Sequence, residues 1–235
     1  MNEEQTFNSE LALAYETTTR ISIPTYDMLF SMVQSYYRVQ LGEKAVSLLV
    51  IGAGGGNELS AWGPSNPKWT FTGIDTSAEM LAIAKHKTVQ LGLENRVKLI
   101  HGTIGNLPHP ESKFDAASCI LVLHFIDDEQ EKLKLLRTIK DHVKPGAPFA
   151  LVSAYGDRKD AEFQYRLNVW KSFFIDAGRE PSKVDEMVNT GIMNPKKISL
   201  ISENQIVRLL GEAGFTNITR FYSTGLFGGW ICHAE

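Results

Sequence analysis

The residues of this sequence best suited to holding a ligand are four glycines that follow a short apolar run. The stretch "LLVIGAGGGNELS" covers Leu48 to Ser60. A strand that ends in glycines and leads into a helix presents unobstructed backbone N–H groups and the positive end of the helix dipole. Such a loop is suited to a nucleotide or to an amino-acid carboxylate.

The spacing of these glycines argues against two common phosphate-binding loops. The pattern is Gly52-x-Gly54-x-Gly56, and Asn57 occupies the sixth position, where a dinucleotide fingerprint has glycine. No Lys-Ser/Thr pair follows, although a P-loop requires one. The loop therefore predicts a backbone-lined site of another kind.

Asp75 is the second candidate, because it ends the next apolar run, "WTFTGID". A carboxylate at the carboxyl tip of this strand can accept two hydrogen bonds from the hydroxyls of a ribose lying over the glycine loop. An aspartate before Thr76 and Ser77 can equally serve only to cap the following helix or turn. The two interpretations stay open on the residues alone.

The pattern of apolar runs predicts the elements that position these residues. Strands are expected at Val46 to Ile51 and near Lys68 to Asp75, Val97, Phe114 and Pro148. Helices are expected between them. Alternating strands and helices of these lengths require crossover connections, so they predict a doubly wound α/β fold with a parallel sheet and helices on both faces.

Two of the predicted helices carry start signals. One covers Ser77 to Leu91, with Thr76 and Glu79 in capping-box spacing. The other covers Asp128 to Val143, begins with Asp128 in the same arrangement, and ends before Pro145-Gly146.

The carboxyl-terminal part returns to a short helix and two strands. Ser202 to Ala213 is predicted to be helical and to end at Gly214. Ile218 to Ser223 and the segment "GGWICHA" read as strands, and only "TGLFG" separates them. That separation is short enough for an antiparallel hairpin.

The length of 235 residues fits one domain, 1–235, with two helical additions. Residues 1–41 are predicted to form an N-terminal helical cap. Residues 156–204 are predicted to form a helical lid, because an insertion after the carboxyl end of a strand lies where such sheets bind ligands.

Composition and charge exclude several classes of function. A formal net charge of -3 gives no electrostatic reason to expect nucleic acid. The amino terminus lacks the features of a signal peptide, and no apolar run approaches the length of a membrane span, so a cytoplasmic protein is expected. Cys119 and Cys232 form no CxxC pair and no metal-ligand spacing with the histidines, so no metal is expected.

The order of these motifs resembles that of the class I S-adenosylmethionine-dependent methyltransferases. The resemblance combines the glycine loop, Asp75, "HGTIGNLP" after the third strand, "FDAASCILVLHF" as the fourth and "HVKPGAPFALVS" leading into the fifth. It implies a Rossmann-like seven-stranded sheet with an antiparallel last strand, a methyltransferase activity, and S-adenosylmethionine as the methyl donor with S-adenosylhomocysteine as the product. A nicotinamide-binding domain is the alternative, but it would need GxGxxG.

A closer resemblance is to the carboxy-S-adenosylmethionine synthases, which act in modification of the tRNA wobble uridine and are commonly homodimers. It rests on "FNSELALAYETTTRISIPTYDMLFSMV", "HFIDDEQEKLKLLRTI" and "LLGEAGF". By matching positions it implies the cofactor-binding residues Tyr26, Gly52, Ala53, Gly54, Gly56, Asp75, Thr76, Thr103, Ile104 and Ile120. Any of the apolar ones could instead be plain core.

Three departures from these families bear on function. Val50 and Thr103 stand where acidic residues are usual, one anchoring the glycine loop and one meeting the adenine amino group. The synthases also need an arginine to grip an additional carboxylate, but no arginine lies between Glu180 and Ile206, and Gly191 is near the matching position. Ordinary methyl donation is therefore favoured over carboxy-S-adenosylmethionine synthesis. A non-catalytic nucleoside-binding module is a further alternative.

Methyl transfer is a direct displacement that needs no protein nucleophile, so few catalytic residues are expected. His124, just beyond the fourth strand, is the candidate general base, while the alternative is a half-buried histidine that caps the next helix. Without a basic run or an appended RNA-binding module, a small-molecule acceptor is expected rather than nucleic acid. Six lid aromatics could line its pocket or only pack: Tyr155, Phe163, Tyr165, Trp170, Phe173 and Phe174.

Overall fold

A computed structural model describes residues 16–107 and 113–235, and a seven-stranded sheet forms its centre. The strand order is β3-β2-β1-β4-β5-β7-β6, and β7 runs antiparallel to both of its neighbours. This arrangement confirms the predicted doubly wound fold and the terminal hairpin. The strands are β1 Val46–Ile51, β2 Trp69–Asp75, β3 Val97–His101, β4 Ala116–Ile120, β5 Pro148–Ala154, β6 Phe215–Thr224 and β7 Phe227–Ala234.

Helices connect the strands and cover both faces of the sheet. Residues 16–22 are helical as well, and the short 3-10 turns Ile104–Asn106 and Leu123–Phe125 follow β3 and β4. The helices are α1 Tyr26–Leu41, α2 Asn57–Trp62, α3 Ala78–Gln90, α4 Glu129–His142, α5 Ala161–Asp176, α6 Pro181–Thr190 and α7 Glu203–Glu212. In the described part of the chain, none of these is both long enough and apolar enough to traverse a bilayer.

The side chains of β1 alternate between two apolar clusters, one on each face of the sheet. Leu48 and Val50 belong to the cluster that includes residues of α1, α5 and α6. Leu49 and Ile51 belong to the cluster formed with α4 and α7. Because successive strand residues point to opposite faces, a strand covered on both sides is apolar throughout, as the sequence of β1 is.

The helix caps agree with the sequence except at α3. Asp128 caps α4, since its carboxylate accepts from the backbone N–H groups of Gln130 (2.8 Å) and Glu131 (3.0 Å). The predicted cap at Thr76 is wrong by one residue. Ser77 has the extended backbone of an N-cap and its hydroxyl accepts from the Met80 N–H at 3.2 Å.

The two helical additions meet each other over one face of the sheet. The Trp170 indole N–H in α5 donates to the Ser22 carbonyl at 2.9 Å, which joins the predicted lid to the segment before α1. Arg158 donates to the carbonyls of Ile192 (2.8 Å) and Ile198, and so closes residues 156–204 on themselves. The part of the predicted cap formed by residues 1–15 lies outside the described residues, and the division of the chain into a core, cap and lid stays a prediction.

The strand order determines where a ligand can enter. From β1 the chain continues outward to β2 and β3, whereas β4 and β5 lie on the other side of β1. In open α/β sheets a crevice forms beyond the carboxyl ends of the strands at such a switch point. Here it lies between the ends of β1 and β4.

Replacing Ser202 by Ala should lower the free energy of unfolding by about 1 kcal/mol, because the hydroxyl caps α7 by accepting from the Gln205 N–H at 3.3 Å. Ser35→Ala in the exposed part of α1 is the matched control, since that hydroxyl only bonds back to the Ser31 carbonyl. Urea unfolding of both variants measures the difference. Equal stabilities for the two variants would contradict a capping role.

Candidate functional site

A cavity of about 530 Å³ opens at the switch point, beyond the carboxyl ends of β1, β2 and β4. We call it the glycine-loop cavity. Its described walls are the glycine loop, the tip of β2, the turn after β3, the end of β4 with part of the segment that follows it, and one side chain each from α3 and α4. Most of these groups are apolar or backbone, and the Asp75 carboxylate is the charged side chain among the described lining residues.

The glycine loop is held in place by backbone hydrogen bonds to β2. The N–H groups of Gly52 and Ala53 both donate to the Ile74 carbonyl, at 2.9 and 3.0 Å. Val50 is fully buried in the core. The Ile74 carbonyl thus performs the anchoring that the family resemblance would assign to an acidic residue at position 50.

Gly52 is required at its position for two reasons. Its φ of +70° is unfavourable for a residue with a side chain, and a Cβ built there would lie 2.1 Å from the Val122 Cγ2 atom. The backbone of the loop and the segment after β4 therefore approach closely. Gly54, with φ of +48°, has no such clash and leaves its backbone open toward the cavity.

Asp75 combines both interpretations that the sequence left open. Its Oδ1 accepts from the Ser77 N–H at 2.9 Å, which is a turn interaction, and its Oδ2 accepts from the Gly54 N–H at 2.7 Å. A carboxylate offers about four acceptor positions, so about two remain for a ligand. Asp75 therefore stabilises the glycine loop and still presents acceptors to the cavity.

The turn after β3 forms another part of the wall. The Thr103 hydroxyl donates to the Asn106 Oδ1 at 3.0 Å, which leaves the hydroxyl oxygen as an acceptor. Gly102 donates its N–H to the Asp75 carbonyl at 2.8 Å and so ties this turn to the tip of β2. Ile104, next to Thr103, is buried.

The segment after β4 has a strained backbone. Leu121 adopts φ of +61°, in the left-handed region that non-glycine residues rarely occupy. This conformation costs of order 1–2 kcal/mol, and here the Leu121 N–H donates to the Val152 carbonyl at 2.8 Å. Leu121 and Phe125 border a second cavity as well as the first.

This second cavity, which we call the lid cavity, has a volume of about 250 Å³. Residues of the N-terminal segment and of the lid surround it, and the lid contributes Trp170, Phe174, Met187, Gly191, Ile192 and Ile198. Of the six predicted lid aromatics, only Trp170 and Phe174 are among its described lining residues. The lid cavity is mainly apolar and adjoins the glycine-loop cavity.

The geometry of His124 is at odds with its predicted role as a general base. Its Nδ1 accepts from the Ala154 N–H at 3.1 Å, and burial lowers its pKa to about 3, with a smaller contribution from the charge of Lys132. A backbone N–H cannot reverse its role, so the neutral ring carries its proton on Nε2. A nitrogen that already holds a proton cannot accept one, so this arrangement argues against the general base, and the catalytic role of His124 stays a prediction without structural support.

Lys132 holds the turn that carries His124. Its side chain reaches into the core and donates to the carbonyls of Leu123, at 3.1 Å, and Ile126. Burial lowers its pKa to about 8, against the opposite effect of Asp127, Asp128 and Glu129 nearby. The ammonium group thereby adds a second donor to the Leu123 carbonyl, which already accepts from the Ile126 N–H at 3.3 Å, and also donates to the Ile126 carbonyl at the end of the turn.

Seven of the ten predicted cofactor residues line the glycine-loop cavity: Gly52, Gly54, Asp75, Thr76, Thr103, Ile104 and Ile120. Three are not among its described lining residues, and their contact with a cofactor stays a prediction. Tyr26 packs in the core with its hydroxyl accepting from the Asn57 side-chain amide at 3.0 Å. Ala53 is buried, and Gly56 is the N-cap of α2, where a Cβ would lie 3.1 Å from Ala84.

Sequence reasoning missed several lining residues. Leu121, Val122, Phe125 and Ile126 follow β4, and the rule that ligands lie at carboxyl strand ends would have indicated this segment. Met80 in α3 is different, because nothing in the sequence distinguishes it from a core residue at helical spacing.

Glu58 is a buried carboxyl group in the first turn of α2, the helix that follows the glycines. It is 5% exposed, and burial raises its pKa to about 8, with a further increase from the charge of Asp75. Near neutral pH the group is therefore mainly protonated. A neutral Glu58 avoids placing a second negative charge close to Asp75.

With this geometry established, comparison with known proteins identifies the family. A family model described as a methyltransferase domain matches residues 49–149. A demethylmenaquinone methyltransferase from Geobacillus sp. is 35% identical over 204 residues, which cover 83% of this chain and 80% of the relative. The chain belongs to the class I S-adenosylmethionine-dependent methyltransferases.

Solved structures agree with the fold of this methyltransferase. The magnesium protoporphyrin IX methyltransferase from Synechocystis PCC 6803, determined with bound S-adenosylhomocysteine, has a TM-score of 0.65 at 15% identity and covers 93% of this chain and 87% of that one. An O-methyltransferase family protein from Burkholderia thailandensis has a TM-score of 0.62 at 15% identity and covers 99% of this chain. The match covers 59% of the Burkholderia protein.

Replacing Gly52 by Ala should destabilise the methyltransferase by more than Gly92→Ala does. Both glycines have similar positive φ, +70° and +65°, but a Cβ at Gly92 meets nothing within 4 Å, whereas at Gly52 it meets Val122. Gly92→Ala should cost about 1 kcal/mol from backbone strain alone, and Gly52→Ala about 2–4 kcal/mol. Urea unfolding measures both, and Val122→Ala combined with Gly52→Ala should recover part of the difference. Equal losses would show that the contact with Val122 is unimportant.

Glu58→Gln should change how stability depends on pH. Because the folded-state pKa of about 8 exceeds the ordinary value of 4.5, the stability that protonated Glu58 contributes is complete below pH 4.5 and is lost as pH rises through 8. The wild-type protein should lose more stability than the Gln variant between pH 5 and pH 8, by up to a few kcal/mol. Thermal unfolding across this range tests it, and parallel curves would refute a shifted Glu58.

Proposed function

We propose that the glycine-loop cavity holds S-adenosylmethionine and that the lid cavity holds a small-molecule methyl acceptor. The observation that carries this proposal is the pair of adjoining cavities, which share Leu121 and Phe125 at the carboxyl end of β4. One is walled by open backbone and a carboxylate, and the other is mainly apolar. A donor and an acceptor placed in them would meet at this shared border.

The residues of the glycine-loop cavity fit the parts of the donor. Gly52 and Gly54 leave room beside backbone for the amino-acid end, and the acceptor positions left on Asp75 suit the two ribose hydroxyls. The Thr103 hydroxyl oxygen can accept from the adenine amino group while Ile104 packs on the ring. The volume of about 530 Å³ accommodates a nucleoside of this size.

The bound donor supplies an activated methyl group on a sulfonium, so the task of the protein is placement and exclusion of water. Leu121 and Phe125 border the line of transfer, and Trp170 and Phe174 cover the acceptor side. The S–CH3 bond breaks as the bond to the acceptor forms, S-adenosylhomocysteine is the leaving group, and the proton that an acceptor O–H or C–H group loses is released to solvent. In this proposal His124, whose Nδ1 accepts from the Ala154 N–H, takes no part in that proton transfer.

The apolar lid cavity favours an apolar, ring-containing acceptor. The Geobacillus relative is named for methylation of demethylmenaquinone, and an acceptor of that chemical class would match walls made by Trp170, Phe174 and Met187. We propose a small aromatic or quinol-type acceptor on these grounds. On the sequence alone we also propose that the protein works in the cytoplasm as a homodimer.

Synthesis of carboxy-S-adenosylmethionine is the alternative function that the resemblance to those synthases suggests, and the residues of the lid do not favour it. Gly191 lines the lid cavity near the position where those enzymes need an arginine. Arg158 is close by, but its guanidinium is committed to the carbonyls of Ile192 and Ile198. Gripping a carboxylate would require breaking those bonds. Ordinary methyl donation therefore stands as the proposal.

Calorimetry with S-adenosylmethionine and S-adenosylhomocysteine tests donor binding. Both should bind the wild-type protein, and Asp75→Ala should weaken binding of either at least tenfold, because hydrogen bonds to a charged group are worth about 1.5–3 kcal/mol. Asp141→Ala, at an exposed position of α4, is the matched control and should leave both affinities unchanged. A well-folded wild-type protein that binds neither compound would overturn the proposal.

A further inference from the structure

His124 is buried at the border of the lid cavity, and its two ring nitrogens have different surroundings. Nδ1 faces β5, where it accepts from the Ala154 N–H at 3.1 Å and lies 3.2 Å from the Ser153 Oγ. The Ser153 hydroxyl in turn donates to the Ala154 carbonyl at 3.0 Å. Nε2 has no hydrogen-bond partner among the described residues, although His124 is one of the residues that line the lid cavity.

The backbone of β5 fixes which nitrogen carries the proton. The Ala154 N–H can only donate, so a proton on Nδ1 would face another proton across a buried contact. The neutral ring therefore has its proton on Nε2. Nε2–H is a donor only, in contrast to the hydroxyls of Thr18, Thr19 and Ser22, which line the same cavity and can either donate or accept.

The neighbours of the ring keep this arrangement rigid. Lys132 holds the turn before and after His124 through the carbonyls of Leu123 and Ile126, and the Ser199 N–H donates to the His124 carbonyl at 2.7 Å. The aromatic rings of Phe125 and Phe227 pack at 4.5 and 6.3 Å between centroids. In this conformation the Nε2–H has no acceptor among the described residues, so a ligand that brings an acceptor atom into the cavity would pair it.

We propose that His124 is a specificity-determining residue whose Nε2–H donates a hydrogen bond to an oxygen of the methyl acceptor. This inference rests on the proposed function, in which the acceptor occupies the lid cavity. The methyl acceptor is then expected to be a small apolar molecule with a carbonyl or hydroxyl oxygen on the side that faces His124. A methyl acceptor that presented only hydrocarbon to His124 would leave the Nε2–H group without a hydrogen-bond acceptor.

Two substitutions distinguish the hydrogen bond that Nε2–H would donate from the structural role of the imidazole ring. In His124→Asn the side-chain oxygen can take the place of Nδ1 and accept from the Ala154 N–H, but no atom reaches the position of Nε2. In His124→Gln the amide nitrogen can reach that position and donate. If the ring matters only for packing, the two variants should behave alike.

The probes are 1-tetralone and tetralin, which share one skeleton and differ by a carbonyl oxygen in place of two hydrogens. Titration calorimetry in the presence of S-adenosylhomocysteine should show that the wild-type protein and His124→Gln prefer tetralone over tetralin by about fivefold more than His124→Asn does. Nitrogen NMR of the wild-type imidazole should show a protonated Nε2 and an unprotonated Nδ1.

Three results would overturn the inference. These are an equal preference for tetralone in the wild-type protein and His124→Asn, no binding of tetralone to the wild-type protein, and a proton on Nδ1. Binding of S-adenosylhomocysteine alone is measured in the same samples and should be unchanged in both variants. Its absence from the wild-type protein would instead count against the proposed function, so the two failures are distinguishable.

Discussion

The tip of β2 is the point on which the rest of the site depends. The Ile74 carbonyl accepts two N–H groups from the glycine loop, and the next residue, Asp75, accepts a third from Gly54 through its side chain. These bonds hold the loop in a conformation that only glycine adopts readily, and they leave acceptor positions on the same carboxylate. Without them the loop would lose the hydrogen bonds that join it to β2, and the wall of the glycine-loop cavity next to β4 would lose that support.

The end of β4 contributes the second constraint. Close contact between Gly52 and Val122 places the segment after β4 against the glycine loop. Leu121, with its left-handed backbone, and Phe125 in the same segment border both cavities. Strained residues of this kind persist where surrounding structure over-determines them. Here the Val152 carbonyl and the buried Lys132 provide that structure, on either side of the turn.

The fold was predictable because the sequence patterns that carry it are local. Apolar runs, helix start signals such as Asp128, and the short "TGLFG" turn each specify an element from neighbouring residues. The site was predictable where its residues end strands, as with Asp75 and the glycines. It was not predictable where contacts join distant parts of the chain: Tyr26 pairs with Asn57 rather than entering the cavity, and His124 owes its protonation to Ala154.

At both positions where this chain lacks the acidic residue usual in the family, other atoms of the site supply a hydrogen-bond acceptor. Val50 stands where an acidic residue would anchor the glycine loop, and the Ile74 carbonyl anchors it instead by accepting from the N–H groups of Gly52 and Ala53. Thr103 replaced an acidic residue, and its hydrogen bond to Asn106 leaves an acceptor oxygen in place. Function in this fold therefore depends on which atoms face the cavity, and not on residue type alone.

A crystal structure of the protein with S-adenosylhomocysteine tests the central claim most directly. The account predicts ribose hydroxyls within hydrogen-bonding distance of the Asp75 carboxylate, the amino-acid end over Gly52 and Gly54, and the sulfur facing the border formed by Leu121 and Phe125. A nucleoside bound elsewhere, or bound with its sulfur turned away from the lid cavity, would contradict it.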